Sequence, residues 1–379
     1  MTTTGPSSER AAPSPSPARP PDTVVPADGL RALVAAITAA AGSSSDEAGT
    51  VAANLVEANL QGHDSHGVGM VPRYVAAVHG GGLLPNQHAT VAQDAGALLS
   101  VDGVRGYGQV VAGEAMALAI ERAQAHGSCV LGLGNAHHIG RIGAWAEQAT
   151  DAGLVSVHFV NVLARSIVAP WGGRDARLGT NPFCVGVPRP GRDPVILDFA
   201  TSRVAQGKVR VAHNKGQALA PGVMIDAAGE PTTDPATGVK PPFGSLLPFG
   251  EHKGYGLALV CELLGGALAA GLPYHGEALR GPEVYNGMLA ILVDPARLGH
   301  GASFAEQVET VLSWVTGSPP AADVDQVLVA GQPERATKAA RLAQGVPVDG
   351  GTWRELMATA ASVGLDEDAV RQAAGLAAR

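Results

Sequence analysis

Apolar residues recur along the chain with two different spacings. Helical spacing runs from Asp28 to Gly42 and returns after Ser44. Ser44 followed three residues later by Glu47 is a capping-box pattern, which predicts that a second helix starts there. From Ser303 onward the pattern is again mostly helical. Both chain ends therefore predict one helical domain, formed by residues 28–95 and 303–379.

The middle of the chain, residues 96–302, has a different pattern. Short apolar runs typical of strands occur there: ALLSVDG, CVLGLG, LVSVHFV, FCVGVP, VILDF and MLAILVDP. Helical patterns interrupt them at Gln109 to His126 and at Arg141 to Ala152. This mixture predicts an α+β (mixed α/β) protein whose central domain carries the sheet.

Two segments need separate interpretation. Residues 1–27 are dominated by Pro, Ser, Thr and Ala and have no apolar secretion segment, so we expect a disordered tail. Residues 253–271, KGYGLALVCELLGGALAAG, resemble a membrane span in length. Glu262 in the middle and the frequent glycines favour a buried helix in a core or a subunit interface instead.

Charge and cysteine content narrow the class of protein. The formal net charge is −8 and no basic run occurs, which argues against nucleic acid or an anionic membrane as a partner. The three cysteines form no CxxC motif. That usage is typical of a reducing compartment, so we expect a cytoplasmic protein.

Common nucleotide and hydrolase motifs are missing from the sequence. The run GLGNAHHIG at residues 132–140 has its third glycine misplaced for a Rossmann fingerprint, and two histidines stand where the helix should open. No P-loop and no G-x-S-x-G elbow occurs. The sequence therefore lacks the motifs that usually mark phosphoryl-transfer enzymes and serine hydrolases.

Histidines beside glycines are the most informative residues. His63 and His66 lie in one such cluster, His137 and His138 in a second, and His252 in a third. Histidine is the usual reversible proton donor near neutral pH, so these clusters indicate a site built from loops. A metal site made from the same histidines has no HExxH-type spacing to support it.

Two further residues allow more than one interpretation. Asp198 ends an apolar run, where its carboxylate either orients an imidazole or caps a helix, and the spacing favours neither. Lys253 starts a helix, where it either holds a phosphate or lies at the surface.

Several blocks of the sequence match one known family. The chain resembles the malate/L-lactate dehydrogenase family of non-Rossmann NAD(P)-dependent oxidoreductases, most of all its hydroxycarboxylate dehydrogenase B type. The resemblance covers the chain from about Asp28 to its end. The matching blocks are ANLQGHDSHGVGMVPRY, NAHHIGRIGAWAEQA, GRDARLGTNPFCVGVP, LDFATSRVAQGK, GEPTTDP, GSLLPFGEHKGYGLALVCELLGGAL and RLAQGVPVDGGTW.

The resemblance implies a largely antiparallel sheet, a homodimer and an activity on 2-oxo and 2-hydroxy acids with NAD or NADP. It implies that His66 is the proton donor or acceptor, that Asp198 is its partner and that His138 lies near the substrate. The implied cofactor contacts are Ser166, Ile167, Val168, Ala169, Pro170, Trp171, Gly172, Thr180, Asn181, His252, Lys253, Gly331, Gln332, Pro333 and Glu334.

One departure from the family pattern concerns the substrate. Many members have an arginine four residues after the motif histidine, whereas this chain has Met70. Arg73 and Arg141 are the candidates to bind the substrate carboxylate, and Arg141 is favoured because it shares a block with His138. Met70 suits a larger, apolar substrate side chain, such as that of an aromatic 2-oxo acid.

Two other activities remain open from the sequence. A cyclic imine carboxylate reductase of the piperideine-2-carboxylate type would need nearly the same site. A metal-dependent hydrolase or lyase using the histidine clusters is the alternative from a different class.

Overall fold

A computed structural model describes residues 22–214, 216–270 and 281–376. Its α-helices are α1 Ala27–Ala40, α2 Ser45–Leu60, α3 Val71–His79, α4 Gly108–His126, α5 Gly143–Asp151, α6 Gln206–Asn214, α7 Ala236–Val239, α8 His252–Cys261, α9 Gly301–Thr316, α10 Gln332–Gln344, α11 Gly350–Ser362 and α12 Glu367–Ala373. Its strands are β1 Thr23–Val25, β2 Thr90–Asp94, β3 Leu98–Asp102, β4 Ser128–His137, β5 Val155–Leu163, β6 Phe183–Val187, β7 Val195–Phe199, β8 Met224–Ile225, β9 Pro231–Thr232, β10 Ser245–Leu246, β11 Tyr285–Val293 and β12 Val346–Val348.

The main sheet has seven strands within the described residues, in the order β2-β3-β4-β11-β5-β6-β7. Only β3 and β4 pair in parallel; the other neighbours are antiparallel. The predicted α+β class with a largely antiparallel sheet is confirmed. Gly132 and Gly134 lie inside β4, so the glycine run forms no strand-to-helix turn.

Each apolar run that suggested a strand forms one of these strands, and helices α4 and α5 cover one face of the sheet. Their alanines and Trp145 pack on inward-facing leucines of the central strands to form a core of small side chains. Alanine is the most frequent residue of this core, so helix and sheet approach closely.

A second core joins the two ends of the chain. Apolar residues of α1, α2 and α3 pack with those of α11 and α12, and β1 pairs antiparallel with β12. Residues 1–21 of the predicted tail lie outside the described residues. The predicted disordered tail, residues 1–27, extends too far toward the C-terminus, because the β-branched run Thr23–Val25 forms β1.

A third, smaller core lies beyond the sheet. It gathers Val168, Leu178, Val209, Met224 and Leu246 around the three-stranded sheet β10-β8-β9. The domain division at residues 28–95 with 303–379 and 96–302 stays a prediction, and residues 377–379 lie outside the described chain.

At the start of α2, one of the two hydrogen bonds of the predicted capping box forms. Ser44 Oγ accepts a hydrogen bond from the backbone N–H of Glu47, at 3.3 Å. The Glu47 carboxylate does not return this bond to Ser44, because both its oxygens accept from the backbone N–H of Asn86 at 2.9 Å. Glu47 therefore ties the loop before β2 to the helix instead of closing the box.

The apolar segment that begins at Lys253 is helical but irregular. α8 continues into a π-helix at Glu262–Leu268, and Gly271 lies outside the described residues. The buried Glu262 carboxylate accepts hydrogen bonds from the side-chain amides of Asn161 and Asn181. The opposite face is not buried in this chain, since Leu263 and Leu268 are exposed. Across the described residues, we find no helix with both the length and the apolarity needed to cross a bilayer.

Candidate active site

The loop that carries His66 is held by one asparagine of the preceding helix. Asn59 Nδ2 donates to Asp64 Oδ1 at 2.6 Å, and Asn59 Oδ1 accepts from the backbone N–H of Val68 at 2.8 Å. A Cβ atom on Gly67 would lie 2.1 Å from Asn59 Oδ1, so only glycine fits between them. The glycine after His66 thus lets the loop pack against α2.

The C-terminal helical region also reaches this loop. Arg341 of α10 donates from both terminal nitrogens to the two carboxylate oxygens of Asp64, at 2.6 and 3.0 Å. A bidentate pair of this kind fixes orientation as well as distance. The position of His66 therefore depends on residues far apart in the sequence.

His66 and His138 form a stacked pair. Their ring centroids are 5.6 Å apart with an interplanar angle of 15°. His66 Nδ1 lies 3.0 Å from Ser65 Oγ, and His138 Nδ1 lies 2.6 Å from the Tyr74 hydroxyl. The structure thus brings the two predicted histidines together, each anchored through Nδ1.

Burial and charge distinguish the two rings. Burial lowers the pKa of His66 to about 4, against the negative charge of Asp198, which raises it. Burial lowers the pKa of His138 well below its usual value, and the neighbouring His66 lowers it further. Both rings are therefore neutral at pH 7, and a proton added to the pair is favoured on the ring nearer Asp198.

Asp198 lies on β7 and faces the start of α5. Its Oδ2 accepts from the backbone N–H of Gly143, at 2.7 Å. A Cβ on Gly143 would lie 2.1 Å from an Arg141 terminal nitrogen and 3.1 Å from Asp198 Oδ2. The carboxylate therefore binds the N-terminus of α5, as the capping interpretation predicts, and its charge raises the pKa of His66; a role in orienting the imidazole stays a prediction.

The two arginines proposed for the substrate carboxylate have different surroundings. Arg141 is buried and forms an ion pair with Glu147. Arg73 donates to the carbonyl oxygens of Pro282 and Glu283, at 2.5 and 3.1 Å. Each already has partners within the chain, and each lowers the pKa of a site histidine through its charge.

Cationic side chains gather near Met70, which packs partly against the first core. Burial lowers the pKa of Arg73, and the charges of Arg165 and Arg210 lower it further. An Arg210 terminal nitrogen would lie 3.3 Å from a Cβ on Gly69. Three guanidinium groups thus repel one another in this part of the site, which favours an anion there.

A small polar cavity lies behind the carboxylate of Asp198. Its lining residues are Gln61, His63, Arg141, Glu147, Ile196, Asp198, Gly331 and Glu334. His63 lies 3.6 Å from Glu334 Oε1 and lowers the Glu334 pKa by hydrogen bonding. The other oxygen, Glu334 Oε2, is buried without a hydrogen-bond partner in the described chain.

The remaining predicted cofactor residues lie around the third core. In the segment from Ser166 to Gly172, Val168 bridges to Leu178 and Leu246, while Trp171 is largely exposed. Thr180 accepts from the backbone N–H of Thr201, at 2.9 Å. These residues border the loop that ends at α8, whose first residues His252 and Lys253 are exposed.

Asn181 differs from its neighbours because the fold uses its whole side chain. Asn181 Oδ1 accepts from Val162 N at 3.0 Å, and Asn181 Nδ2 donates to Ala258 O at 3.1 Å and to Glu262 Oε2 at 2.8 Å. Its position near the cofactor residues is thus set by structural contacts.

The sequence gives no indication of several residues that complete the site. Tyr74 contacts His138, and Gln109 contacts Tyr74; Glu147 pairs with Arg141. Tyr74 stands in the same block as His66 but has no motif of its own, and Gln109 meets it only through tertiary packing. Among the described residues, no three His, Cys, Asp or Glu side chains are grouped so as to hold a metal ion.

Comparisons with known proteins define the class first. The profile of the malate/L-lactate dehydrogenase family matches residues 25–357. The chain belongs to this family, a class of oxidoreductases, and the resemblance found in the sequence is confirmed.

Individual relatives agree over nearly the whole length. Hydroxycarboxylate dehydrogenase B of Escherichia coli K12 is 47% identical over 344 residues, covering 90% of this chain and 95% of the relative. An L-lactate dehydrogenase of Cupriavidus necator is 41% identical, covering 88% and 96%. The solved structure of an E. coli protein assigned to the malate/lactate dehydrogenases superposes with a TM-score of 0.89 at 44% identity, covering 93% and 99%.

Proposed function

We propose that this protein transfers hydride between NADH or NADPH and a 2-oxo acid, forming the 2-hydroxy acid, or catalyses the reverse reaction. The observation that carries the proposal is the neutral, stacked pair His66–His138 within electrostatic reach of Asp198. Reduction of a ketone to an alcohol needs one proton at the oxygen, and imidazole is the usual side chain that exchanges one; here Asp198 favours that proton on His66. Membership of a dehydrogenase family supports the same reaction.

His66 supplies the proton in reduction and removes it in oxidation. Asp198 favours the imidazolium form of His66, and a bound substrate carboxylate would act in the same direction. His138 stays neutral and faces the same ligand. The nicotinamide supplies the hydride chemistry when it is bound, and the protein orients the two reactants.

The substrate is an anion with a carboxylate beside the reacting carbon. Arg141 is the proposed carboxylate ligand, with Arg73 as the alternative, and the charges of Arg165 and Arg210 add to the attraction. Because Arg141 is paired with Glu147, binding through it requires the carboxylate to share the guanidinium with that side chain.

Met70 in place of an arginine puts one apolar side chain beside the guanidinium groups of this part of the site. We infer a preference for a larger, apolar or aromatic 2-oxo acid, because a flexible thioether packs well against such side chains. A higher kcat/KM for phenylpyruvate than for pyruvate is the expected result, and equal values would count against the inference.

The cofactor would bind beside this site. Glu334 has a buried carboxylate oxygen without a hydrogen-bond partner in the described residues, and it lines a small cavity with Gly331. Gln332 and Pro333 complete this segment. The proposed contacts continue through Ser166–Gly172, Thr180, Asn181, His252 and Lys253.

The assembly proposed is a homodimer in the cytoplasm. Exposed apolar side chains of the π-helix and of α9 support the homodimer: Leu268 is 66% exposed and Trp314 is 85% exposed. Such side chains commonly mark a protein interface.

The test is a spectrophotometric panel. Oxidation of NADH and of NADPH is followed with pyruvate, oxaloacetate, 2-oxoglutarate, phenylpyruvate and a cyclic imine carboxylate. Turnover of an oxo acid is the expected result. Turnover of the imine alone would replace the proposal with an imine reductase, and absence of cofactor binding would refute both.

A further inference from the structure

Tyr74 connects the site histidines to the interior of the protein. It is buried, and its hydroxyl lies 2.6 Å from His138 Nδ1. Gln109 Nε2 donates to the same hydroxyl, at 2.8 Å. The chain Gln109–Tyr74–His138 is therefore a short hydrogen-bonded series that ends at a ring next to His66.

The direction of the protons follows from the donors available. Gln109 donates to the Tyr74 oxygen, so the single O–H of Tyr74 is free to point at His138 Nδ1. Burial raises the pKa of Tyr74, so the hydroxyl keeps its proton. His138 is neutral and accepts at Nδ1, and its one ring proton must then be on Nε2.

We propose that Tyr74, oriented by Gln109, is a positioning residue that fixes His138 as the Nε2–H tautomer, so that His138 donates a hydrogen bond to the substrate carbonyl oxygen. The assignment of the tautomer follows from the two hydrogen bonds of the Tyr74 hydroxyl, together with the protonated state of that hydroxyl and the neutral state of His138. The contact with the carbonyl oxygen rests on the proposed function.

This arrangement separates two tasks between two adjacent rings. Asp198 favours a proton on His66, the ring that exchanges it with the substrate. Tyr74 gives His138 a fixed donor that never needs to ionise. A preset donor costs no reorganisation when negative charge develops on the carbonyl oxygen, which is how such donors accelerate reactions.

The chain offers a matched control for removing the Tyr74 hydroxyl. Tyr107 is also buried and packs edge-to-face on Tyr74, with centroids 5.8 Å apart and an interplanar angle of 77°. Among the described residues, its hydroxyl has no hydrogen bond to a site histidine, and burial raises its pKa as it does that of Tyr74. Tyr74→Phe and Tyr107→Phe therefore each remove one buried hydroxyl from the same aromatic cluster.

The decisive measurement is the nitrogen-15 NMR spectrum of histidine-labelled full-length protein at pH 7.5 without substrate, with His138 assigned by its loss in His138→Gln. We expect an Nε2–H signature for His138 in the parent and in Tyr107→Phe, and a mixture of tautomers in Tyr74→Phe. An Nδ1–H signature in the parent, or an unchanged tautomer in Tyr74→Phe, would overturn the proposal. The parent spectrum decides the first point even if Tyr74→Phe does not fold.

Steady-state kinetics test the link to catalysis. Tyr74→Phe should lower kcat about 10- to 100-fold with little change in KM, less than the roughly 100- to 1000-fold for complete loss of one donor, because part of His138 keeps the Nε2–H tautomer. Tyr107→Phe should stay within about twofold. Equal losses in the two variants would show a packing effect and refute the catalytic part. If no panel substrate turns over, the proposed function fails while the NMR result still decides the tautomer.

Discussion

Buried neutral histidines make this fold sensitive to acid, and His158 allows the effect to be measured in isolation. It lies on β5 with no exposed surface, 2.9 Å from Ser156 Oγ, and its Nδ1 has no hydrogen-bond partner in the described chain. Burial lowers its pKa to about 3. In the unfolded chain the pKa returns to about 6.5.

The sign of the effect follows from where the proton binds. Between these two pKa values the unfolded state binds a proton that the folded state does not, so stability is fully present above about pH 6.5 and falls as the pH drops. One pKa unit corresponds to about 1.4 kcal/mol, so His158 alone removes about 2 kcal/mol between pH 7.5 and pH 5.

The perturbation is His158→Asn, which keeps a polar partner for Ser156 but cannot titrate. Urea unfolding at pH 7.5 and at pH 5 gives the acid-induced loss of stability for parent and variant. We expect the loss to be smaller by about 2 kcal/mol in the variant, whatever its stability at pH 7.5.

His88→Asn is the control, because His88 is exposed and Glu114 raises its pKa. Its contribution has the opposite sign: it is present at acid pH and lost as the pH rises, so its removal cannot reduce the acid loss. The same acid loss in parent and His158→Asn would refute the reasoning.

Two further predictions concern the site. His66→Ala should lower turnover at least about 100-fold while the Kd for the cofactor stays near the parent value, and near-normal turnover would disprove its role as proton donor. Arg141→Met should raise the KM for the oxo acid about tenfold or more; an unchanged KM, with the increase found in Arg73→Met instead, would move the carboxylate site to Arg73. The urea midpoint of each variant separates lost binding from lost folding, since Arg141→Met leaves Glu147 without its ion pair.

The strands of the sheet were predictable where their apolar residues are buried. Runs such as LVSVHFV and MLAILVDP are covered on at least one face and read as strands directly. β2 is different: all five residues from Thr90 to Asp94 are exposed, so no apolar alternation marks them. The order of strands, with β11 between β4 and β5, depends on tertiary pairing that no local pattern contains.

Some residues of the candidate site were also predictable from the sequence, and others were not. His66 and His138 were identifiable because each lies beside glycines, and the structure stacks them. Tyr74 and Gln109 were not, because their contact spans 35 residues and neither carries a motif. Glu47 shows a related limit: the local pattern predicted a capping box, but the backbone N–H of Asn86, distant in sequence, binds the Glu47 carboxylate instead.

The pairing of β1 with β12 affects the order in which parts of the chain can fold during synthesis on the ribosome. The described strands of the main sheet are complete once Val293 has emerged, whereas α1 and α2, which also pack on each other, lack their C-terminal packing partners until α11 and α12 follow. Arg341, which holds Asp64 beside His66, emerges in the same late interval. The sheet can therefore form co-translationally, while the contact that holds the loop of His66 through Asp64 assembles only after α10 has been synthesised.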